Sequence, residues 1–211
     1  MTSYISDLVI QIIRYLGYPG IFILMTLESV NIPIPSEVIM PFSGFLVQNG
    51  TFNFWVVALV GTLGNVAGSL LSYYLAEWIL YIRNRYKFLR LLLSEKHLEK
   101  TNIWFRKYGS YSIFFGRVVP VVRTFISLPA GIGKMNAAKF TSLTFLGSAL
   151  WSVFLTYIGL LLGSNWTRIQ RYFHQADYVI LILIVVSALY FLIRRKKSRV
   201  DDGDRGEGPV S

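Results

Sequence analysis

The chain has 211 residues, of which 54% are apolar and only 15% charged, whereas a soluble domain usually carries about 25% charged residues. This composition excludes an ordinary soluble domain and indicates an integral membrane protein, long enough for one bundle of roughly four to six membrane segments. The net charge of +10 does not indicate nucleic-acid binding, because the basic residues flank apolar stretches, and the absence of cysteine excludes disulfides and thiolate metal sites.

The first apolar stretches, between residues 5 and 47, are divided by prolines. Residues Ile5–Leu16 predict a short helix without a basic flank or a small-residue cleavage site, so a cleaved signal peptide is not expected. Residues 18–47 predict a broken membrane segment, because Pro33 and Pro35 remove backbone donors and clash with the preceding turn. Broken helices at membrane depth line cavities rather than lipid.

The next stretch, residues 54–82, predicts the first uninterrupted membrane span. No charged residue lies between residues 38 and 76, and a spanning helix needs about 20 apolar residues. Gly64 and Gly68 have the GxxxG spacing, which is typical of helices that approach one another closely. We interpret this pair as a packing site rather than as part of a transport path.

Residues 83–108 change character, because eight of the 21 basic residues are mixed there with large apolar side chains. This mixture predicts an amphipathic helix on the cytoplasmic membrane surface. Its capping residues favour a helix from about Glu95 to Lys107, with Gly109 as the C-terminal stop. His97 is interpreted as a solvated surface histidine, because no partner lies near it in the sequence.

The second half of the chain again has a broken segment followed by spans. Residues 112–134 predict a second re-entrant segment, since Pro120 and Pro129 interrupt it and it is too short for two spans. Two charge-free stretches predict further spans, at residues 140–163 and 178–193. Residues 200–211 are rich in Gly and Asp and predict a disordered polar tail.

The basic residues set the expected orientation. Five of them lie between Arg194 and Arg199, which places the C-terminus in the cytoplasm and lets this tail and the 83–108 segment attract anionic lipid headgroups. Counting spans back from that end, the two broken hairpins enter from opposite membrane faces. The sequence therefore predicts an all-α integral membrane protein, a single polytopic domain of residues 1–199. It is a helical bundle with two opposed re-entrant broken-helix hairpins, an inverted repeat, and a cytoplasmic amphipathic helix.

Four charged residues lie inside segments that otherwise have the composition of membrane helices. They are Glu28 and Glu37 in the first broken segment and Arg117 and Arg123 in the second. Charges at membrane depth are costly and usually functional, which indicates a membrane transport protein with a site where the broken segments meet. Arginine presents a planar fork of donors that matches phosphate oxygens, so the two arginines are the candidate phosphate ligands.

The two glutamates predict a coupling mechanism. Burial disfavours the charged form of a carboxylate, whereas a neighbouring arginine favours it. Binding of an anion to the arginines can therefore change the protonation of the glutamates. An anionic headgroup would then cross with a proton or ion, and no cofactor or metal site is predicted. The remaining candidate residues form the breaks or line the path: Pro33, Pro35, Pro120, Thr124 and Ser127. The plainer alternative is a pair of buried ion pairs that only hold the hairpins together.

Two stretches of the sequence resemble the DedA family of membrane proteins. The first runs from Glu28 to Glu37, followed by Gly44, Gly64–Gly68 and Tyr73. The second comprises Tyr108–Gly109, Gly116–Thr124, Ser127, Ala130–Gly131, Met135, Phe140, Gly147 and Trp151. The resemblance covers residues 15–165, and the combination of these stretches is specific.

This resemblance implies opposed re-entrant hairpins, the same four functional charges, and a role in moving lipids across the bilayer. The substrates it implies are polyprenyl phosphate carriers or phosphatidylethanolamine, with proton or sodium coupling. We therefore expect a bacterial inner-membrane flippase for undecaprenyl phosphate. Ser69 stands where many relatives have an acid, and Ala76 where they have glycine, so a coupling role of that acid is in doubt here.

Several alternatives stay open from the sequence. The protein could instead move phosphatidylethanolamine, exchange ions with protons without a lipid substrate, or act as an assembly scaffold. An intramembrane enzyme is disfavoured, because His97 and His174 lie in predicted surface segments and no general base is placed near the arginines. Gly159 and Gly163 fit either self-association into a homo-oligomer or internal packing.

Overall fold

The structure, a computed structural model, describes residues 2–32, 34–85 and 95–163, and that part of the chain contains helices and no strands. Its helices are α1 (Thr2–Leu16), α2 (Tyr18–Ser29), α3 (Ser36–Gln48), α4 (Phe54–Ile82), α5 (Glu95–Val118), α6 (Pro120–Phe125), α7 (Ser127–Ile132) and α8 (Ala137–Leu162). A short 3-10 turn, Arg83–Arg85, follows α4. The predicted third span, its preceding connection with His174, the basic tail and Pro33 lie outside the described residues.

Two described helices, α4 and α8, are long and apolar enough to cross a membrane. Each begins at an asparagine cap. The Asn53 side chain accepts hydrogen bonds from the backbone of Trp55 at 3.0 Å and of Val56 at 3.2 Å, and Asn136 accepts one from Lys139 at 3.0 Å. These caps satisfy backbone donors that the first turn leaves free, so the helices start where the predicted spans begin or a few residues earlier.

The first break separates α2 from α3 at the predicted prolines. The chain leaves α2 through Asn31, whose φ of 72° is a left-handed conformation that asparagine adopts more readily than most residues. The amide of Asn31 donates to the Glu28 carbonyl at 3.0 Å, which closes the end of α2. Pro35 is the extended residue before α3, with φ −79° and ψ 120°. The break thus places Glu28 and Glu37 on either side of it.

The second break follows a longer helix than the sequence predicts. The helix that begins at Glu95 does not stop at Gly109 but continues to Val118. A glycine inside a helix costs only about 1 kcal/mol, and Gly109 and Ile113 are both buried, with Gly109 packed near Phe105. Tertiary packing therefore outweighs the local stop signal.

The chain then breaks at Val119, which has extended backbone angles of −90° and 118°. Pro120 opens α6, where its missing amide donor is not needed. The end of α5 and the two short helices α6 and α7 make up the second broken segment.

The helices that flank the two breaks contact α4 and α8 in an exchanged pattern. Before each break, the helix packs on the span that follows it in the chain: α2 on α4, and α5 on α8. After each break, the helix packs on the other span: α3 on α8, and α7 on α4. The two spans also contact each other. Both breaks consequently lie against the same α4–α8 pair.

Glycines make these close helix contacts. A Cβ added to Gly64 would meet the backbone and side chains of α2 at Phe22 and Met25, the latter at 3.0 Å. A Cβ added to Gly44 of α3 would lie 3.0 Å from the Cα of Gly159 on α8. The predicted packing role of the Gly64 motif is therefore confirmed, and Gly159 also serves internal packing.

Replacing Gly159 by alanine is expected to destabilise the protein by about 1–3 kcal/mol, the usual range for overpacking. The new methyl group would lie well inside van der Waals contact with the backbone of Pro41 in α3, which cannot move independently. Thermal unfolding in detergent measures the effect. Gly109→Ala is the matched control, because its nearest neighbours are side-chain atoms of Phe105 and Met135. Equal melting temperatures for the two variants would contradict this account of the α3–α8 contact.

Candidate functional site

The structure brings together the four charged residues that the sequence singles out. Glu28 lies in the last turn of α2, Glu37 in the first turn of α3, Arg117 near the end of α5 and Arg123 in α6. All four are buried, with relative exposures of 3%, 8%, 2% and 2%. The two breaks therefore meet in one charged cluster in the protein interior.

Arg123 is the centre of this cluster. Its Nη2 atom donates to Oε1 of Glu28 and to Oγ of Ser36, and it lies 3.8 Å from Oε1 of Glu37. The guanidinium also stands over the Trp151 ring, 5.3 Å from the ring centroid, which is a cation–π contact. Arg123 of the second broken segment is thus held by groups from the first segment and from α8.

Arg117 has different partners. Its Nη1 donates to the backbone carbonyl of Arg123 at 2.9 Å, and its Nη2 donates to Ser127 Oγ at 2.7 Å. Its guanidinium lies 5.8 Å from the centroid of the Phe140 ring. No ion pair to Arg117 is found among the described residues. Arg117 therefore braces the second break and contributes a positive charge that no carboxylate contacts directly.

Several charged groups of the cluster have free hydrogen-bonding atoms. Oε1 of Glu28 accepts from Arg123 and, at 3.2 Å, from the Ser36 amide. Within the described residues, Oε2 of Glu28 and the Nε atoms of Arg117 and Arg123 are buried without a hydrogen-bond partner. Buried polar atoms are usually paired. The two Nε–H groups can therefore donate to a bound anion or water, and Oε2 can accept from water or take up a proton.

The α4 helix fixes the first break in position. The hydroxyl of Ser72 donates to the Ser29 carbonyl at 3.0 Å. The Ser29 hydroxyl in turn donates to Oδ1 of Asn65 at 2.5 Å. These two bonds hold the end of α2, and with it Glu28, against α4.

The other predicted site residues have simpler positions. Pro35 and Pro120 stand at the two breaks, where the sequence predicts them. Ser127 is fully buried and bonded to Arg117. Thr124, next to Arg123 in α6, is half-buried. Pro33 lies outside the described residues.

Two members of the cluster were not selected as site residues from the sequence. Ser36 is fully buried and its hydroxyl accepts from Arg123 and, at 3.5 Å, from Nε1 of Trp151. The signal for Ser36 is its place between Pro35 and Glu37, directly at the break. Trp151 lies in the middle of a predicted span, where an aromatic residue ordinarily packs against other helices. Its contact with Arg123 is therefore visible only in the structure. Groups of three or more potential metal ligands are not found in the part of the chain that the structure describes.

Comparison with known proteins gives sequence matches over most of the chain. The VTT domain profile matches residues 34–161, from just before α3 to the last turn of α8. Undecaprenyl phosphate transporter A of Staphylococcus aureus is 30% identical over 202 residues, covering 92% of this chain and 99% of that protein. The protein of the same name in Bacillus subtilis is 34% identical over 201 residues, covering 93% of this chain and 97% of that protein.

A protein named alkaline phosphatase-like protein from Lactococcus lactis subsp. lactis is 33% identical over 199 residues, covering 91% of this chain and 92% of that protein. No solved structure matches the chain. The profile match covers more than half of the sequence and includes Glu37, Arg117 and Arg123. The chain is therefore a membrane protein of the VTT-domain family, which is also called the DedA family.

Proposed function

We propose that this protein is a lipid transporter that moves undecaprenyl phosphate across the cell membrane, with proton coupling. One observation carries the proposal: the buried Arg123 of the second broken segment is bound by the Glu28 carboxylate of the first. Two similar proteins that match more than nine-tenths of the chain are named undecaprenyl phosphate transporter A. Neither the substrate nor the coupling ion follows from the fold alone, so both are proposed from the chemistry of the cluster.

Arg123 is suited to bind a phosphate group. Arginine donors bind carboxylate and phosphate oxygens in the same way, so the Glu28 carboxylate occupies a position that a phosphate oxygen can take. Arg117 supplies a second guanidinium without a carboxylate contact. An incoming phosphate therefore replaces Glu28 on Arg123 and meets Arg117, which lies on the other side of the second break.

Charge balance explains why a proton should accompany the phosphate. The cluster holds two arginines and two glutamates and is neutral when all four are ionised. A buried charge without a counter-charge is costly, so an entering anion is favoured when a proton neutralises Glu28. Release of the anion returns Glu28 to Arg123 and frees the proton. Lipid and proton consequently move in the same direction.

The same reasoning favours a phosphate monoester over phosphatidylethanolamine. A phosphate monoester carries about −1.5 to −2 charges at pH 7 and can therefore supply the negative charge that the cluster lacks once Glu28 is neutral. The phosphatidylethanolamine headgroup carries both a phosphate and an ammonium group, and it would leave the arginines uncompensated. Undecaprenyl phosphate is a phosphate monoester, and we propose that it is the substrate.

The proposed path follows the two broken segments. We propose that they are re-entrant hairpins entering from opposite faces, so that each connects the charged cluster to one side of the membrane. The headgroup crosses this hydrated path while the lipid tail stays in the bilayer. The exchanged contacts of α3 and α7 with the two spans support this arrangement. The basic residues of the C-terminus and of the 83–108 segment favour a cytoplasmic location for both, next to anionic lipid headgroups.

Replacing Ser36 by alanine is expected to slow lipid translocation by about tenfold, since a hydrogen bond to a charged group contributes about 1.5–3 kcal/mol. The Ser36 hydroxyl accepts from Arg123 and so fixes the direction of the guanidinium. Initial rates in proteoliposomes measure the effect. Ser43→Ala is the matched control, because Ser43 is equally buried in α3 but bonds only the Ile39 carbonyl of its own helix, at 2.7 Å. Equal losses in both variants would argue against a positioning role for Ser36.

The test of the proposed function is headgroup translocation in proteoliposomes of the purified protein. Polyprenyl phosphate and phosphatidylethanolamine are compared, each with and without a pH gradient and with and without a sodium gradient. We expect fast movement of polyprenyl phosphate that is driven by the pH gradient. Fast movement of phosphatidylethanolamine alone would identify that lipid as the substrate instead. Dependence on the sodium gradient alone would identify sodium as the coupling ion.

The same vesicles test the ion-exchange alternative. Movement of protons against another ion, without acceleration of either lipid, would reject the lipid transporter in favour of an exchanger. Movement of neither lipids nor ions would favour an assembly scaffold.

We further propose that the protein is not an enzyme, although two relatives are named alkaline phosphatase-like protein. Displacement at a phosphate requires a nucleophile activated by an adjacent base. The Ser36 hydroxyl accepts hydrogen bonds from Arg123 and Trp151, which lowers its nucleophilicity. Incubation of the purified protein with polyprenyl phosphate should release no inorganic phosphate, and steady release would overturn this assignment.

A further inference from the structure

A row of hydroxyl groups lies along one face of α8, at every fourth residue from the middle of the helix. Its members are Thr144, Ser148, Ser152 and Thr156, and each has a relative exposure of 1% or less. Residues four apart lie on the same helix face. This hydroxyl row begins one turn after Phe140, whose ring lies under Arg117.

Three members of the row do not make the hydrogen bond that such hydroxyls usually make. Serine and threonine inside helices often bond the carbonyl four residues earlier, and Thr141, Ser142 and Thr156 of α8 do so at 2.7–2.9 Å. The side-chain hydroxyls of Thr144, Ser148 and Ser152 have no hydrogen-bond partner among the described residues. Buried hydroxyls without a partner are costly, so these three are expected to have partners other than the backbone of α8.

The row lies beside the charged cluster at more than one point. Cβ of Arg117 faces Gly147, and the side chain extends from there to the Phe140 ring, along the turn that carries Thr144. The Nε atom of Arg117 is buried and unpartnered as well. Further along, the Ser152 hydroxyl faces Gly61 of α4, and its neighbour Trp151 contacts Ser36 and the Arg123 guanidinium.

The spacing of the row fits water. Residues four apart rise about 6 Å along a helix, and two hydrogen bonds in series, each of about 2.8 Å, span nearly that distance. One water molecule can therefore bridge each pair of neighbouring hydroxyls. A single metal ion does not fit, because several oxygen ligands must converge on it at short distance.

We propose that Thr144, Ser148 and Ser152 hold a chain of water molecules that conducts protons to the Oε2 atom of Glu28. The proposal rests on the proposed proton-coupled transport and identifies its proton path. Oε1 of Glu28 is occupied by Arg123 and the Ser36 amide, whereas Oε2 is buried without a partner, so Oε2 is the atom that receives the proton. Each water and hydroxyl accepts one proton and passes on another, and the carboxylate ends as the neutral acid.

The charged groups around the row are consistent with this direction of transfer. Arg117 borders it from α5, and its positive charge disfavours a resting proton there, so the proton does not stay in the row. Glu37 of α3 and Glu28 of α2 lie beyond, at Arg123. Glu77 on α4, one turn beyond Tyr73, is only half-buried. We therefore assign the buried Glu28 carboxylate, at Arg123, as the acceptor of the proton.

The test is the triple variant Thr144→Val, Ser148→Ala, Ser152→Ala in proteoliposomes that contain polyprenyl phosphate. With an internal pH-sensitive dye, lipid-dependent proton uptake should fall by roughly tenfold or more. Exchange of labelled polyprenyl phosphate at equal acidic pH on both sides should change little, because Glu28 is already protonated there. The matched control is Thr141→Val, Ser142→Ala, which removes two hydroxyl groups of α8 outside the row and should leave proton uptake at the wild-type rate.

Two results would overturn the water chain. One is wild-type proton uptake in the triple variant, and the other is an equal loss of proton uptake and acidic lipid exchange, which would assign the hydroxyls to the lipid path. The single variants Ser148→Ala and Ser148→Thr apply if the triple variant does not fold, since only threonine keeps the hydroxyl and should keep the rate. Failure of the wild-type protein to move lipid would instead reject the proposed function itself.

Discussion

Lysine in place of Arg123 is expected to slow translocation of polyprenyl phosphate by about 10- to 100-fold while the protein stays folded. Lysine keeps the positive charge and so keeps an ion pair with Glu28, but it loses the planar fork that binds two phosphate oxygens. Hydrogen bonds to charged groups contribute about 1.5–3 kcal/mol, and each 1.4 kcal/mol corresponds to about tenfold. Initial rates in proteoliposomes and thermal unfolding in detergent are the two measurements.

Arg85→Lys is the matched control for this change. Arg85 is exposed in the turn after α4, away from the cluster, and its replacement should affect neither measurement. If Arg123→Lys translocates lipid at the wild-type rate, the fork geometry is irrelevant and Arg123 is a structural counter-ion of Glu28. If instead the variant unfolds at a much lower temperature, the ion pair itself has been lost and the kinetic result has no bearing on phosphate binding.

Local sequence signals predict most of the helix boundaries. The span predicted at residues 54–82 coincides with α4 at both ends, and Pro35 and Pro120 stand at the two breaks, whereas Pro41 and Pro129 lie inside helices. These signals act over a few neighbouring residues, so they can be recognised in the sequence without knowledge of the tertiary structure. The exception is α5, where burial of Gly109 and Ile113 carries the helix past its local stop.

The charged cluster was only partly predictable. The four buried charged residues can be identified from the sequence, because the free-energy cost of a charge at membrane depth makes such residues rare unless they are functional. Their pairing is not symmetrical, since both glutamates approach Arg123 and neither contacts Arg117 directly. That difference depends on how the helices that carry these residues pack against one another, and the sequence does not specify this packing. The free hydroxyls of α8 are likewise visible only once hydrogen bonds can be counted.

The exchanged packing gives the cluster a structural basis for movement. Each span contacts one helix from before its own break and one from after the other break. A shift of one broken segment therefore changes the distance between Glu28 and Arg123, which lie on different segments. We propose that anion binding at that single pair is in this way linked to opening of the site toward one side of the membrane.

Glutamine in place of Glu28 is expected to abolish accumulation of polyprenyl phosphate driven by a pH gradient, while downhill movement continues. Glutamine has nearly the shape of the protonated acid but cannot release a proton, so Arg123 stays free for phosphate at every pH. Wild-type translocation should rise as the pH on the entry side falls, because protonation removes the negative charge that competes with phosphate. The variant should show a flat pH profile and bind phosphate more tightly.

The competing account treats Glu28 and Arg123 as a purely structural pair, and it predicts a different result for the same variant. Removing one partner of a buried ion pair costs about 3–5 kcal/mol, so Glu28→Gln would unfold at a lower temperature and would retain the wild-type pH profile in its surviving activity. Glu77→Gln, a half-buried acid on α4 outside the cluster, controls for loss of a carboxylate in general. A flat profile confined to Glu28→Gln places the coupled proton on that residue, whereas a retained profile in a destabilised protein leaves Glu28 with a structural role only.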